Sequence, residues 1–176
     1  MSLASKLLVH DRRLVCRYQH TRRRATRYAR SLARRRDLKM QHDLTQIVEK
    51  MKQRYELRVR RWRRNMSGCA WRVYHHNGRV VNWIEAPVPK TPISLAIFLH
   101  EVGHHAIGFN TYKKRCEEEY HVWVWALNQM RLLGVEPDER VHRRFQLSMQ
   151  YAVGKAVRRG VKHLPEPLQQ FLPQAA

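Results

Sequence analysis

The sequence predicts an α+β fold, and three observations predict it. Two short runs rich in Val, Trp and Tyr, residues 70–74 and 79–84, flank the pair Asn77-Gly78. A nearly all-apolar segment with helix-start and helix-stop residues follows at 92–107. On either side of this block, apolar residues recur at three- and four-residue steps, the period of a helix with one buried face. At 176 residues with 43% apolar side chains, the chain is long enough for one domain with a real core.

The charge is uneven. Lys and Arg number 35 against 14 acids, a net +21. Residues 1–65 carry 21 basic and 5 acidic side chains, against 14 and 9 in residues 66–176. Residues 1–39 are therefore expected to form a basic arm, helical on a polyanion and disordered without one. Arginines release counterions from phosphates and pair two oxygens at once, so DNA or RNA is the partner the arm suits. An acidic protein, or a purely solvating role, is the plainer reading of the same charge. Cys16, Cys69 and Cys116 form no CxxC pair, so neither a disulfide framework nor a thiolate metal site is indicated. Reduced thiols suit a cytoplasmic setting. The longest apolar stretch, residues 93–99, is too short to span a bilayer, so no membrane role is expected. Lys6, Asp11, Arg12 and Arg13 occupy the place where a secretory signal needs apolar residues.

The elements follow in order. Leu44, Ile47, Val48, Met51, Tyr55, Val59 and Trp62 share one helical stripe, with Lys50, Arg54, Arg58 and Arg61 opposite. The spacing predicts one helix from about residue 43 to 62. Asn-Gly between the next two runs signals a β-hairpin, because both residues tolerate positive φ. Two strands make a small sheet, and the pattern leaves room for a further short strand. Thr91-Pro92 supplies an N-cap and a proline at the first helical position, and Gly108 a stop. Two more helices are expected at 114–133 and from Pro137-Asp138 to Arg159. The tail, 161–176, holds Pro165, Pro167 and Pro173 and reads as irregular.

The chemistry lies in the apolar helix. His100-Glu101-Val102-Gly103-His104 is an HExxH sequence. Residues four apart on a helix lie one turn apart on one face, so both imidazoles can point at one ion. Glu101 projects beside that face, where it can act as general base toward an attacking water without binding the metal. The surrounding helix is apolar on every side, and two imidazoles with a carboxylate buried there unpaired would cost several kcal/mol. A zinc ion satisfies all three. Such a site needs a third protein ligand, and Glu117, Glu118, Glu119, His105 and His121 are near in sequence. His105 points about 100° away from His104. In the next helix the apolar stripe is Val122, Trp123, Ala126, Met130 and Leu133, and Glu119 falls at its centre. Glu118 lies at its edge. Glu119 is thus the expected third ligand and Glu118 the second choice.

HEVGHH, then a short loop and a glutamate opening an apolar helix, resembles the gluzincin group of zincins, and within it the ImmA/IrrE-type metallopeptidases. Their second motif, E-x-x-A-[ND]-x-F-A, corresponds to residues 119–126 of this chain. Glu119 and the aromatic-Ala pair Trp125-Ala126 match, while Val122 replaces the small residue and Trp123 the polar one. The resemblance covers residues 66–135. It implies zinc, a zincin-like α+β core and, in some members, proteolysis of a DNA-bound repressor, although no helix-turn-helix is recognisable in this chain. The expected organisation is a basic arm (1–39), a small zincin-like domain with a β-hairpin and a bundle of helices (40–160), and a tail (161–176). The expected function is zinc-dependent cleavage of a protein or peptide, acting on nucleic-acid-associated proteins. The alternative is a basic nucleic-acid-binding protein whose metal site is structural or inactive.

Overall fold

The computed structural model describes residues 43–172, together with Arg30, Arg34 and Met40. The basic arm apart from Arg30 and Arg34, and residues 173–176, lie outside the described residues. Helix α1 covers residues 43–54 and buries Leu44, Ile47, Val48 and Met51, as its spacing requires. It does not continue to residue 62. Tyr55 and Glu56 form a turn, with Glu56 at φ 50°, and strand β1 follows at Leu57–Arg63. Residues 57–63 satisfy two periods at once. Val59 and Trp62 extend the helical stripe, but Leu57 and Val59 also alternate with Arg58 and Arg60 as a half-buried strand does. The choice is made by the neighbouring strand, whose free edge needs hydrogen-bonding partners that a helix cannot supply.

Strands β2 (Cys69–Tyr74) and β3 (Val80–Pro87) form the expected antiparallel hairpin, with Tyr74 opposite Val80. Its turn uses Gly78 alone at positive φ (79°). Asn77 instead accepts a hydrogen bond on Oδ1 from the Arg79 N–H at 3.1 Å. β3 is central, between β1, to which it runs parallel, and β2. Its buried residues include Ile84, Glu85 and Ala86. Glu85 is neutralised from β1: Arg63 Nε donates at 3.0 Å and Arg61 Nη2 at 3.3 Å, with Arg60 Nη1 at 3.8 Å.

Helix α2 (Pro92–Ile107) begins where Thr91 and Ser94 close a reciprocal capping box, and ends at Gly108 with φ 95°. Every residue from Ser94 to His105 is buried. Helix α3 (Arg115–Leu132) returns alongside it, and α4 (Glu139–Arg158) is capped by Asp138, which accepts from the Val141 N–H at 2.9 Å. The segment after Gly160 is not a loose tail. It includes a helical turn, α5 (Glu166–Gln169), and Leu168 and Phe171 are each 1% exposed within the core. Pro165 and Pro167 restrict this segment's backbone but do not prevent two large apolar side chains from burying. The architecture is therefore α+β, with a three-stranded mixed sheet and, among the described residues, five helices. The chain divides after Asp43 into two units, and the second holds the sheet and α2 to α5. Among the described residues, no helix is long and apolar enough to cross a membrane.

Candidate metal centre

α2 and α3 pack against each other so that His100 and His104, one turn apart on α2, face Glu119 on the first turns of α3. One ligand atom from each of the three lies within 4.8 Å of the others. Nε2 of His100 is 3.1 Å from Glu119 Oε2, and Nε2 of His104 is 3.8 Å from Glu119 Oε1. The helical-stripe argument thus selects the glutamate that reaches the histidines. Close packing of the two helices is permitted by Gly103, where an added Cβ would stand 3.0 Å from Val122 Cγ1 and 3.1 Å from the Trp125 ring.

Glu118 serves the cluster differently. Its side chain is buried, and Oε1 accepts from His104 Nδ1 at 3.1 Å and from Arg115 Nη1 at 2.6 Å. Oε2 accepts from the Asn110 N–H at 3.2 Å. A carboxylate accepting from Nδ1 places the proton there and leaves the Nε2 lone pair directed at Glu119's side, the arrangement common behind metal-bound histidines. His100 is held by packing. Its ring lies 4.6 Å from that of Trp123, and its buried Nδ1 meets no hydrogen-bonding atom among the described residues.

The protonation states suit a cation. Burial, reinforced by the neighbouring His100, lowers His104 to about 3, so its imidazole is neutral at ordinary pH. Burial alone would raise Glu119. The hydrogen bond and charge of His100, with His104 and Arg115, outweigh it and bring the carboxyl down to about 2. Arg115 Nε donates to Glu119 Oε1 at 2.9 Å, so one arginine on the first turn of α3 ties down both glutamates. Two imidazoles and one carboxylate, with Glu118 behind His104 and Arg115 behind Glu119, form a donor set that zinc accepts.

Glu101 is 6% exposed and stands beside the cluster, outside the three converging ligands. Burial raises its carboxyl to about 7; His100 opposes the rise and the charge of Glu119 adds to it. Gly68, in the β1–β2 loop, lies flush against it: a Cβ there would overlap Oε1, Cγ and Cδ of Glu101. This glycine carries no sequence signal, because it takes the contact across the fold.

His105 lies outside the cluster. Its Nε2 meets the carbonyl of Trp83 on β3 at 3.1 Å, tying α2 to the sheet. His121 stacks on Tyr112, with ring centroids 4.2 Å apart. His105, His121, Tyr112 and Tyr120, like His104, are absent from the lining of the cleft onto which His100, Glu101 and Glu119 open. That cleft has a volume of ≈650 Å³ and is bounded by the β1–β2 loop, α2, the start of α3, and one face of α4. The α4 wall is the part sequence reasoning missed. Its signal is the spacing of Arg144, Ser148, Tyr151, Lys155 and Arg159, which puts them on one face.

Comparison with protein-family models, with curated proteins and with solved structures gives no significant match to this chain.

Proposed function

We propose that the chain is a zinc-dependent peptidase of zincin-like type, with His100, His104 and Glu119 as metal ligands and Glu101 as general base. The observation that carries this reading is the convergence of His100, His104 and Glu119 within 4.8 Å, with His100, Glu119 and the buried Glu101 lining one cleft. A bound zinc supplies a Lewis acid that polarises a peptide carbonyl and makes water a stronger acid. Glu101 receives the proton of the attacking water on its carboxylate and returns it to the leaving amine. A buried carboxyl near 7 is matched to both halves of that task. Glu118 fixes the His104 tautomer, Arg115 orients Glu118 and Glu119, and the apolar surroundings of α2 exclude bulk water. Ligand and base come from helices rather than loops, which limits their motion.

Elemental analysis of the purified chain tests the metal. Stoichiometric zinc is expected, lost in His100→Ala/His104→Ala; zinc unchanged in that variant would refute the ligand assignment. Glu101→Gln should keep zinc and lose cleavage by about 10²–10⁴-fold.

The basic arm belongs to the same proposal as the element that brings the peptidase to nucleic-acid-bound proteins. Arg60, Arg61 and Arg63 share the single carboxylate of Glu85 in the sheet, which offsets one of their three charges. Residues 1–36 should then bind DNA or RNA without sequence preference, weakening by roughly 0.9 log unit per contacted phosphate of duplex for each tenfold rise in salt. Equal binding by a chain lacking 1–36 removes the arm's role and leaves the metal site untouched. A cytoplasmic setting accords with Cys69 and Cys116, neither of which is in a disulfide.

A further inference from the structure

The cleft that holds His100, Glu101 and Glu119 has a second chemistry that the cluster does not use. Its lining includes Lys113 and Lys114 before α3, and Arg144, Lys155 and Arg159 on α4. None of these five cations has a carboxylate partner among the described residues. The paired arginine of the cleft is Arg115, which is engaged with Glu118 and Glu119. Arg144 is partly buried, and its Nε, shielded from solvent, meets no acceptor among the described residues. A guanidinium held in that way lacks the partner its surroundings call for. On α4, Arg144, Tyr151, Lys155 and Arg159 follow at steps of seven, four and four residues, so they share one face over about 22 Å. Tyr151 is 66% exposed on the same face, and Lys155 Nζ lies 5.9 Å from its ring centroid.

From this wall we infer that the cleft selects acidic peptides, with Asp or Glu side chains seated on Arg144, Lys155, Arg159 and the Lys113-Lys114 pair. The inference rests on the peptidase reading for the bond that is cut, and on the unpaired cations for the residues that flank it. A nucleic acid is the less suitable occupant. Among the described residues, the carboxylates lining the cleft are Glu101 and Glu119, and a phosphodiester chain bears a charge at every unit, which would be repelled beside them. A peptide keeps a neutral backbone at those two glutamates and carries its charge on side chains alone. Apolar lining from Ile97, Trp123, Ala152 and Val161 also suits a peptide.

The test is fluorescence anisotropy with two labelled decapeptides, one containing several Asp and Glu, the other the same sequence with Asn and Gln. Binding is measured on the full, zinc-loaded chain carrying Glu101→Gln, so that the probe is not consumed. Lys155→Ala/Arg159→Ala, both exposed positions, and Lys113→Ala/Lys114→Ala are then added separately. The acidic peptide should bind at least about tenfold tighter than its amide twin near 0.1 M salt, and each pair should cut that preference roughly fivefold. Lys155→Glu/Arg159→Glu should reduce it further. The basic arm is common to all variants, so the change between them reports the cleft. Equal binding of the two peptides, or a preference that survives every cleft variant, overturns the inference. It is also overturned if a single-stranded oligonucleotide displaces the peptide and loses more affinity than the peptide does in the same variants. Equal cleavage of both peptides by the unsubstituted chain refutes the selectivity and leaves the peptidase standing. Selective binding with neither peptide cleaved supports the acidic-peptide cleft and refutes the peptidase.

Discussion

Two glutamate sites in this molecule can be set side by side, one buried and one half-buried. On the sheet, Glu85 is surrounded by Arg60, Arg61 and Arg63, all donors and all permanently charged. Between the helices, Glu119 faces His100 and His104, whose imidazoles accept as readily as they donate. The first site is complete: a carboxylate with guanidinium donors has no use for a further ion. In the second, a nitrogen of each imidazole and a carboxylate oxygen of Glu119 lie within 4.8 Å of one another, a set able to share a cation. Both carboxylates are withdrawn from bulk solvent, and they differ in their neighbours: guanidiniums that only donate against imidazoles that also accept. The arginines come from an edge strand, whose own charge needs an anion, whereas the histidines come from a buried helix, where Glu118 meets His104 Nδ1 and His100 Nδ1 has no partner among the described residues.

The sharpest way to break this comparison is Glu119→Gln against Glu85→Gln. The first should abolish tight zinc binding and the second should leave zinc content unchanged; equal loss in both would erase the distinction. Gly68→Ala comes next. Its Cβ must displace the Glu101 side chain, so peptide hydrolysis should fall by about 10²-fold with zinc retained. Near-normal turnover with Glu101 in its original place would show that the base tolerates the shift. Glu118→Gln should weaken zinc by about 10–100-fold, measured by competition with a chelator, because the His104 tautomer loses its charged acceptor.

The smallest effect belongs to the sheet. Burial alone would raise the Glu85 carboxyl, but the hydrogen bond from Arg63 and the charge of Arg61 bring it below the ordinary glutamate range. A depressed folded pKa means stability that is fully present above the unfolded value of about 4.3 and lost as pH falls through the folded one. Denaturant midpoints measured from pH 7 downward should therefore drop less steeply in Glu85→Gln than in the unsubstituted chain. Parallel curves would show that Glu85 adds nothing to acid sensitivity.

The sequence alone determined the elements whose cause is local. Thr91-Pro92 and Gly108 bound α2, Asp138 starts α4, and Asn77-Gly78 turns the hairpin, because caps and turns depend on a few adjacent residues. HExxH placed His100, Glu101 and His104, and the helical stripe of α3 selected Glu119, since a helix converts spacing into direction. Tertiary structure decided where two local solutions competed or where a contact crosses the chain. Residues 57–63 carry a helical and a strand period together, and the unpaired edge of β3 made them a strand. Glu118 meets His104 Nδ1 and stays outside the converging cluster because the α2–α3 crossing set which oxygen meets which nitrogen. Gly68 against Glu101, Phe171 in the core and the basic face of α4 beside the cluster are likewise products of packing. Helix period and capping are written in neighbouring residues, whereas the contacts between elements exist only once the core has closed.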